Sequence, residues 1–458
     1  MKKGLFEPIY DDNKLLGKMF KELLNNNDYL TVKMMLEDVY SDYKDIDGNF
    51  VEQFQTNAFN ARMLELYFFA YFQSENYQMN RDYQYPDFLI QKDNMKVAIE
   101  ITTANGEYNK EGGVTINSGD GMYNKREEKG YDEYLKNEVP LKFTSPIFSK
   151  IQKKYWEKPH CKDLPFAIAV EGFFEEGSLS YTSNPLTEIL YGVRYIEDSQ
   201  GGFSPQKIDK HYKGETPIVS GLFFKPTKEW REMDNVSAIL FQNSATISKF
   251  RRLGWYKGYY NSLSIITRRG LLYNREKGAT VPKYLSYELS QAPFKETWGS
   301  GLVVLHNPNA KHPIPKGYFR DAMDIWYENG EIYNNLNGGM YHFLNSDTNA
   351  ISYQLLVSEN TEIKNITKCE FDKLNPRYKT NKNCIPMYWY KAETQKAIAV
   401  LSAISTGHKS TNSSGYGYEI FTTIEGAKSY KLHKQSNLRE GEIEDVSIEM
   451  FNEILLLT

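Results

Sequence analysis

Two carboxylates, Asp87 and Glu100, sit in a segment that reads as one short hairpin. The run is Pro86-Asp87-Phe88-Leu89-Ile90, then Gln91-Lys92-Asp93-Asn94, then Met95-Lys96-Val97-Ala98-Ile99-Glu100-Ile101-Thr102. Asp and Asn tolerate positive φ, so Asp93-Asn94 between apolar runs is a two-residue turn signal. With that turn, 92 pairs with 95 and 90 with 97. Asp87 then lies opposite Glu100 as a non-hydrogen-bonded pair, with Cα atoms about 4.5 Å apart. The period of two gathers Phe88, Ile90, Val97, Ile99 and Ile101 on one face and Asp87, Glu100 and Thr102 on the other. Opposed like charges weaken a sheet unless something neutralises them. A divalent cation would do so, and Mg²⁺ takes oxygen ligands from one or two carboxylates. The plain alternative is that Asp87 merely follows Pro86 in a turn and Glu100 faces solvent.

The elements around the hairpin supply further candidates. A helix over roughly 56–73 ends in Arg62-Met63-Leu64-Glu65-Leu66-Tyr67-Phe68-Phe69-Ala70-Tyr71-Phe72, apolar on every side apart from Glu65, which marks it as buried. A carboxylate there is costly unless paired or metal-associated. Either Arg62, three residues back, answers it, or Glu65 points at the Asp87/Glu100 pair. A polar stretch over 104–144 reads as a loop, and its Lys110, Lys125, Arg126 and Lys129 are interspersed with acids. Ser145-Pro146 then reads as a helix start, Ser as N-cap and Pro at the first helical position. That helix, running to about 157, packs by Ile147, Phe148, Ile151 and Tyr155. Lys153 falls opposite this stripe, whereas Lys150 and Lys154 border it. Pro165-Phe166-Ala167-Ile168-Ala169-Val170 follows as a fully apolar strand. Earlier, 12–44 reads as helical, and a short strand is expected at about 76–81. Further strands are expected at Ile218–Phe224, Val236–Phe241 and Gly301–Leu305.

Composition bounds the classes. The chain has 458 residues, 40% hydrophobic and 25% charged, as in soluble globular proteins of two or three domains. No run of apolar residues is long enough to cross a membrane, and no leader-like apolar segment follows Met1, so a cytoplasmic protein is expected. The three cysteines form no CxxC, and the seven histidines form no HxxxH or HExxH pair, which leaves a zinc hydrolase without support. A net charge of −4 neither announces nucleic acid nor forbids a local basic groove. Lys249-Phe250-Arg251-Arg252-Leu253-Gly254-Trp255-Tyr256-Lys257 mixes cations with aromatics as nucleic-acid grooves do, but an ordinary amphipathic helix suits it better. His306 lacks a nameable nucleophile or partner and reads as structural. The Tyr- and Asn-rich sequence after about 316 reads as a separate accessory domain.

The order helix (60–73), strand, hairpin (83–103), helix (145–157), strand (165–170), with Glu65, Pro86-Asp87 and Glu100-Ile101-Thr102 in place, resembles the PD-(D/E)xK, or restriction-endonuclease-like, nuclease superfamily. The resemblance covers roughly 55–175. It implies an α/β fold with an α-β-β-β-α-β core and a mixed sheet, an N-terminal helical region (1–54), a nuclease-like domain with insertions (55–315) and a C-terminal accessory domain (316–458). It further implies an Mg²⁺-dependent endonuclease (Mn²⁺ as substitute) acting on DNA, double-stranded by family resemblance, in bacterial defence against phage or foreign DNA, as a homo-oligomer or with a partner defence protein. Asp87, Glu100 and the Ile101 carbonyl would hold the metal, with Glu65 as an outer or second-metal ligand. The chain departs from the family at the lysine: Glu-x-Lys is Glu100-Ile101-Thr102 here. Lys150, then Lys154, is the replacement expected from the following helix. The departure also keeps two other readings open: a catalytically inactive nuclease-like domain that binds nucleic acid or a partner protein, and a sensor whose C-terminal region recognises a ligand.

Overall fold

The hairpin forms the second and third strands of an eight-stranded mixed sheet whose spatial order follows the chain. The strands are β1 (Gln78–Asn80), β2 (Phe88–Lys92), β3 (Met95–Asn105), β4 (Phe166–Phe173), β5 (Ala238–Phe241), β6 (Val303–His306), β7 (Met323–Glu328) and β8 (Glu331–Leu336). Antiparallel pairing joins β1 to β2 and β2 to β3, and parallel pairing joins β3 to β4 and β4 to β5. β6 runs antiparallel to β5 and parallel to β7, and β8 closes the edge antiparallel to β7. The computed structural model describes residues 3–10, 14–26, 29–105, 130–174, 178–197, 203–224, 227, 230–259, 264–272, 274, 276, 279, 281–337, 343–352, 363–366, 368–374, 384–392, 397–404, 415–423, 430–436, 439–440, 446, 449–451 and 453–454. Lys110, Lys125, Arg126 and Lys129 lie outside the described residues.

Helices α1 (Lys18–Asn25), α2 (Leu30–Asp42), α3 (Phe50–Gln55) and α4 (Phe59–Ser74) precede the sheet. The expected 12–44 helix is thus two helices. α4 is apolar all round because it is buried all round: it lies between the sheet and the N-terminal helices, and Phe72 meets Phe88 of β2 edge to face at 5.2 Å. Phe88, Ile90, Val97, Ile99 and Ile101 share this core, the face the alternation assigned them. The opposite face, with Leu89, Ala98, Ile168 and Val170, packs on α5 (Tyr131–Lys142) and α6 (Thr144–Ile151) through Val139, Phe143, Ile147 and Ile151. β4, covered on both faces, is buried along its whole length, as its unbroken apolar run requires.

Part of the stretch read as a loop is therefore helix. α5 has few apolar positions and carries Pro140, so the helical period is hard to see in its sequence. It leads through Phe143, itself in helical conformation, into α6, so the helix begins at Thr144 rather than being capped by Ser145. α6 stops at Ile151, and a single 3₁₀ turn holds 155–157. The expected strand at Ile218–Phe224 is confined to Thr216–Val219, with Leu222 and Phe223 buried in the turn after it.

β7 and β8 lie beyond residue 316, so the main sheet does not stop at the expected domain boundary. A three-stranded sheet joins 264–272, 283–288 and 343–352, and a separate sheet is built from strands between 363 and 440. Among the described residues no helix is long and apolar enough to cross a membrane.

Candidate functional site

The turn residues Asp93 and Asn94 have φ of 50° and 65°, the left-handed pair that a tight hairpin needs. They set the register Lys92↔Met95, Ile90↔Val97 and Phe88↔Ile99, and one step further brings Asp87 to Glu100. The Asp87 N–H donates to Glu100 Oε2 at 3.2 Å, and the Ile101 N–H donates to Asp87 Oδ2 at 2.6 Å. Both carboxylates thus gather at the open end of the hairpin, on the α6 side of the sheet.

The Lys150 ammonium lies 2.6 Å from Glu100 Oε1. It comes from α6, one residue before the buried Ile151, and crosses to the strand that carries Thr102 where the family pattern has lysine. Burial pushes Glu100 above the usual carboxylate range, with Lys150 and a Tyr155 hydrogen bond working against the shift. Asp87 is pushed well above it, by burial first and then by the charges of Glu100 and Glu65. Tyr155 is held neutral by burial and by the two carboxylates.

Glu65 is placed differently from the carboxylate pair. Tyr43 donates to its Oε1, Arg62 Nη1 lies 2.5 Å from its Oε2, and Arg81 Nη2 lies 3.6 Å from Oε1. Arg81 also donates to the Asp87 carbonyl at 2.6 Å. Glu65 is thus linked to the Asp87 backbone by way of Arg81 and acts on Asp87 otherwise through its charge, and Arg62 holds it most closely of the two arginines. Lys154 is not at the site either. It follows the end of α6 with φ of 50°, and its ammonium turns to Glu232 at 3.3 Å and Glu157 at 3.5 Å. Lys153 is exposed. Neither Arg81 nor Tyr155 carries a catalytic signal in the sequence. Tyr155 falls on the stripe of the helix expected over 145–157 and reads as core, and Arg81 carries no signal beyond being a lone cation before the hairpin.

Two carboxylates are hard oxygen donors, and with the Ile101 carbonyl and water they fit a cation of the Mg²⁺ type, which keeps several of its waters. Among the described residues no group of three or more His, Cys, Asp or Glu side chains could hold a metal ion. Any metal would therefore rest on Asp87 and Glu100 with backbone and water, and Glu65 does not complete a third carboxylate position.

The other sequence candidates have structural partners. Helix α7 (Asn184–Tyr191) and helix α8 (Ile247–Lys257) lie in the main body. In α8, Lys249 and Arg252 are buried with Arg268 around Glu296. His306 pairs with buried Asp324 at 2.7 Å. No protein-family model, curated protein or solved structure matches this chain.

Proposed function

We propose that the chain is a metal-dependent nuclease hydrolysing DNA phosphodiester bonds, built on a restriction-endonuclease-like core. The observation that carries the reading is the convergence of Asp87, Glu100 and the Lys150 ammonium at one end of a hairpin. The order α4, β1–β3, α5–α6, β4 supports it, since it follows the α-β-β-β-α-β sequence of that core with one helix added before β4. Asp87, Glu100 and the Ile101 carbonyl would hold Mg²⁺ or Mn²⁺. The bound ion would polarise a phosphoryl oxygen and lower the pKa of a coordinated water. Lys150 would orient the attacking water through its N–H donors and offset charge gathering on the phosphate. Tyr155 steadies the ionised form of Glu100, and Arg81 fixes the Asp87 peptide. Double-stranded DNA as substrate and a role in bacterial defence rest on the family resemblance alone.

One observation favours a second reading, a nuclease-like domain that binds without cleaving. Lys150 already partners Glu100 and offsets part of the paired negative charge, so the carboxylates have a purely structural use. Plasmid and linear DNA incubated with the protein in Mg²⁺, Mn²⁺ or EDTA separates the two. Cleavage that needs the metal and disappears in Asp87→Asn supports the nuclease. Binding without cleavage in any metal supports the inactive domain.

A further inference from the structure

Four rings extend outward from Glu100. Tyr155, whose hydroxyl serves Glu100, lies parallel to Tyr85 at 5.7 Å and 12°. The Tyr85 carbonyl is 2.7 Å from His160 Nε2, and His160 stacks on Tyr83 at 3.7 Å and 5°. Tyr83 and Tyr85 are 41% and 45% exposed, in a protein that buries most of its aromatic rings near the site. They stand four and two residues before Asp87. The two-residue step keeps the Cα atoms of Tyr85 and Asp87 within about 7 Å of each other. Lys153 and Lys158 are exposed on the segment that carries Tyr155 and His160.

Exposed flat rings, with exposed cations on the segment that stacks against them, suit a nucleobase and its phosphate, the combination by which single-stranded nucleic acid is held. Bases inside a duplex already have both faces stacked and cannot offer one to a tyrosine. We propose that Tyr83 and Tyr85 form a base-stacking ledge, so that the Asp87/Glu100 site receives DNA with an unpaired nucleotide beside the scissile phosphate: a single strand, a flap or a frayed end. The inference rests on the nuclease reading of the same site and replaces its blunt duplex with an unpaired substrate. Tyr155 and His160 back the two tyrosines and hold their rings in place. They are positioning residues.

Binding in EDTA tests the ledge without requiring cleavage. Fluorescence anisotropy would compare a labelled oligo-dT strand with a blunt duplex of equal length. The single strand should bind more tightly. The Tyr83→Ala/Tyr85→Ala double variant should weaken single-strand binding about ten-fold, while Tyr83→Phe/Tyr85→Phe stays within about two-fold of wild type. Equal binding by wild type and the Ala double, or tighter binding of the blunt duplex, overturns the proposal. A loss in the Phe double as large as in the Ala double also overturns it, because the hydroxyls and not the ring faces would then be responsible. Should the Ala double fail to fold, Tyr83→Ala alone carries the same comparison. Cleavage of the same substrates in Mg²⁺ separates this proposal from the one beneath it. Ring-dependent single-strand binding with no cleavage keeps the ledge and removes the nuclease. Duplex cleavage indifferent to both tyrosines does the reverse.

Discussion

Asp87 and Glu100 hold protons more tightly in the folded chain than ordinary carboxyls do, and this fixes the sign of a pH effect. A carboxyl whose folded pKa is raised costs stability as pH climbs from the ordinary carboxylate value through the folded one. In EDTA, Asp87→Asn should therefore melt above wild type at about pH 8, by on the order of 1 kcal/mol in stability, and converge with it towards pH 4. A gap that stays constant across this range would show that proton affinity is not its source. Lys150 permits a kinetic prediction. Its ammonium is in contact with Glu100, so Lys150→Ala should lower kcat by about 10²–10³-fold, whereas Lys153→Ala and Lys154→Ala should leave it near wild type. Steady-state cleavage rates for the three variants decide the matter, and a normal rate in Lys150→Ala removes that lysine from the mechanism. At Glu65 the expectation is mainly structural. Glu65→Gln leaves the guanidinium groups of Arg62 and Arg81 without their carboxylate and should cost on the order of 3 kcal/mol. Activity should fall less, through a loosened Arg81–Asp87 contact. Unchanged melting in Glu65→Gln would contradict the ion-pair account.

The hairpin's register depends on two residues that L side chains occupy reluctantly. Asn94, at φ of 65°, should accept Gly with no loss, and Asn94→Val should cost about 1–2 kcal/mol. Circular-dichroism melts of the two variants test this, and an indifferent Val variant would mean that the turn does not hold the register. This hairpin was legible in the sequence because turn chemistry and a strict period of two agreed. The same logic places Asp87 against Glu100, one step beyond the Phe88↔Ile99 pair. The partners of Glu65 other than Arg62 were not legible, since Tyr43 and Arg81 approach it from segments distant in sequence. The helical wheel fails at Lys154 for a local reason. It assumed a helix to 157, and the chain leaves helical phase after Ile151, swinging Lys154 towards Glu232. α5 is not legible because its charged residues and Pro140 dilute the apolar positions that pack against the sheet.

At the scale of the whole molecule, the sequence's change of texture near 316 did not mark the end of the main sheet. β7 pairs with β6 and buries Met323 and Ile325 in the core beside α5 and α6, and β8 covers the far edge of β7. The later sheet differs: among the described residues its apolar clusters draw their members from 363–454. The sequence between Asn337 and Ile363 is thus a better candidate for separating two cores than the sequence around 316. Strand 343–352 belongs on the near side of that division, because it pairs along the whole of strand 264–272, where Arg268 meets Glu296 and the buried ammonium and guanidinium of α8. A chain ending at 315 would expose the unpaired edge of β6 and should aggregate, since an uncovered apolar strand edge is a template for association. A chain ending at 352 keeps all eight strands and the three-stranded sheet. It should be soluble and monodisperse, with a cooperative melt. Cleavage by this shorter chain at wild-type rate would assign catalysis to the first 352 residues. A folded chain that has lost cleavage would assign the later sheet a part in substrate binding or activation. Size-exclusion chromatography and melting of the two truncations test the division itself. A folded 1–315 chain, or an aggregated 1–352 chain, would show that the cores are divided elsewhere.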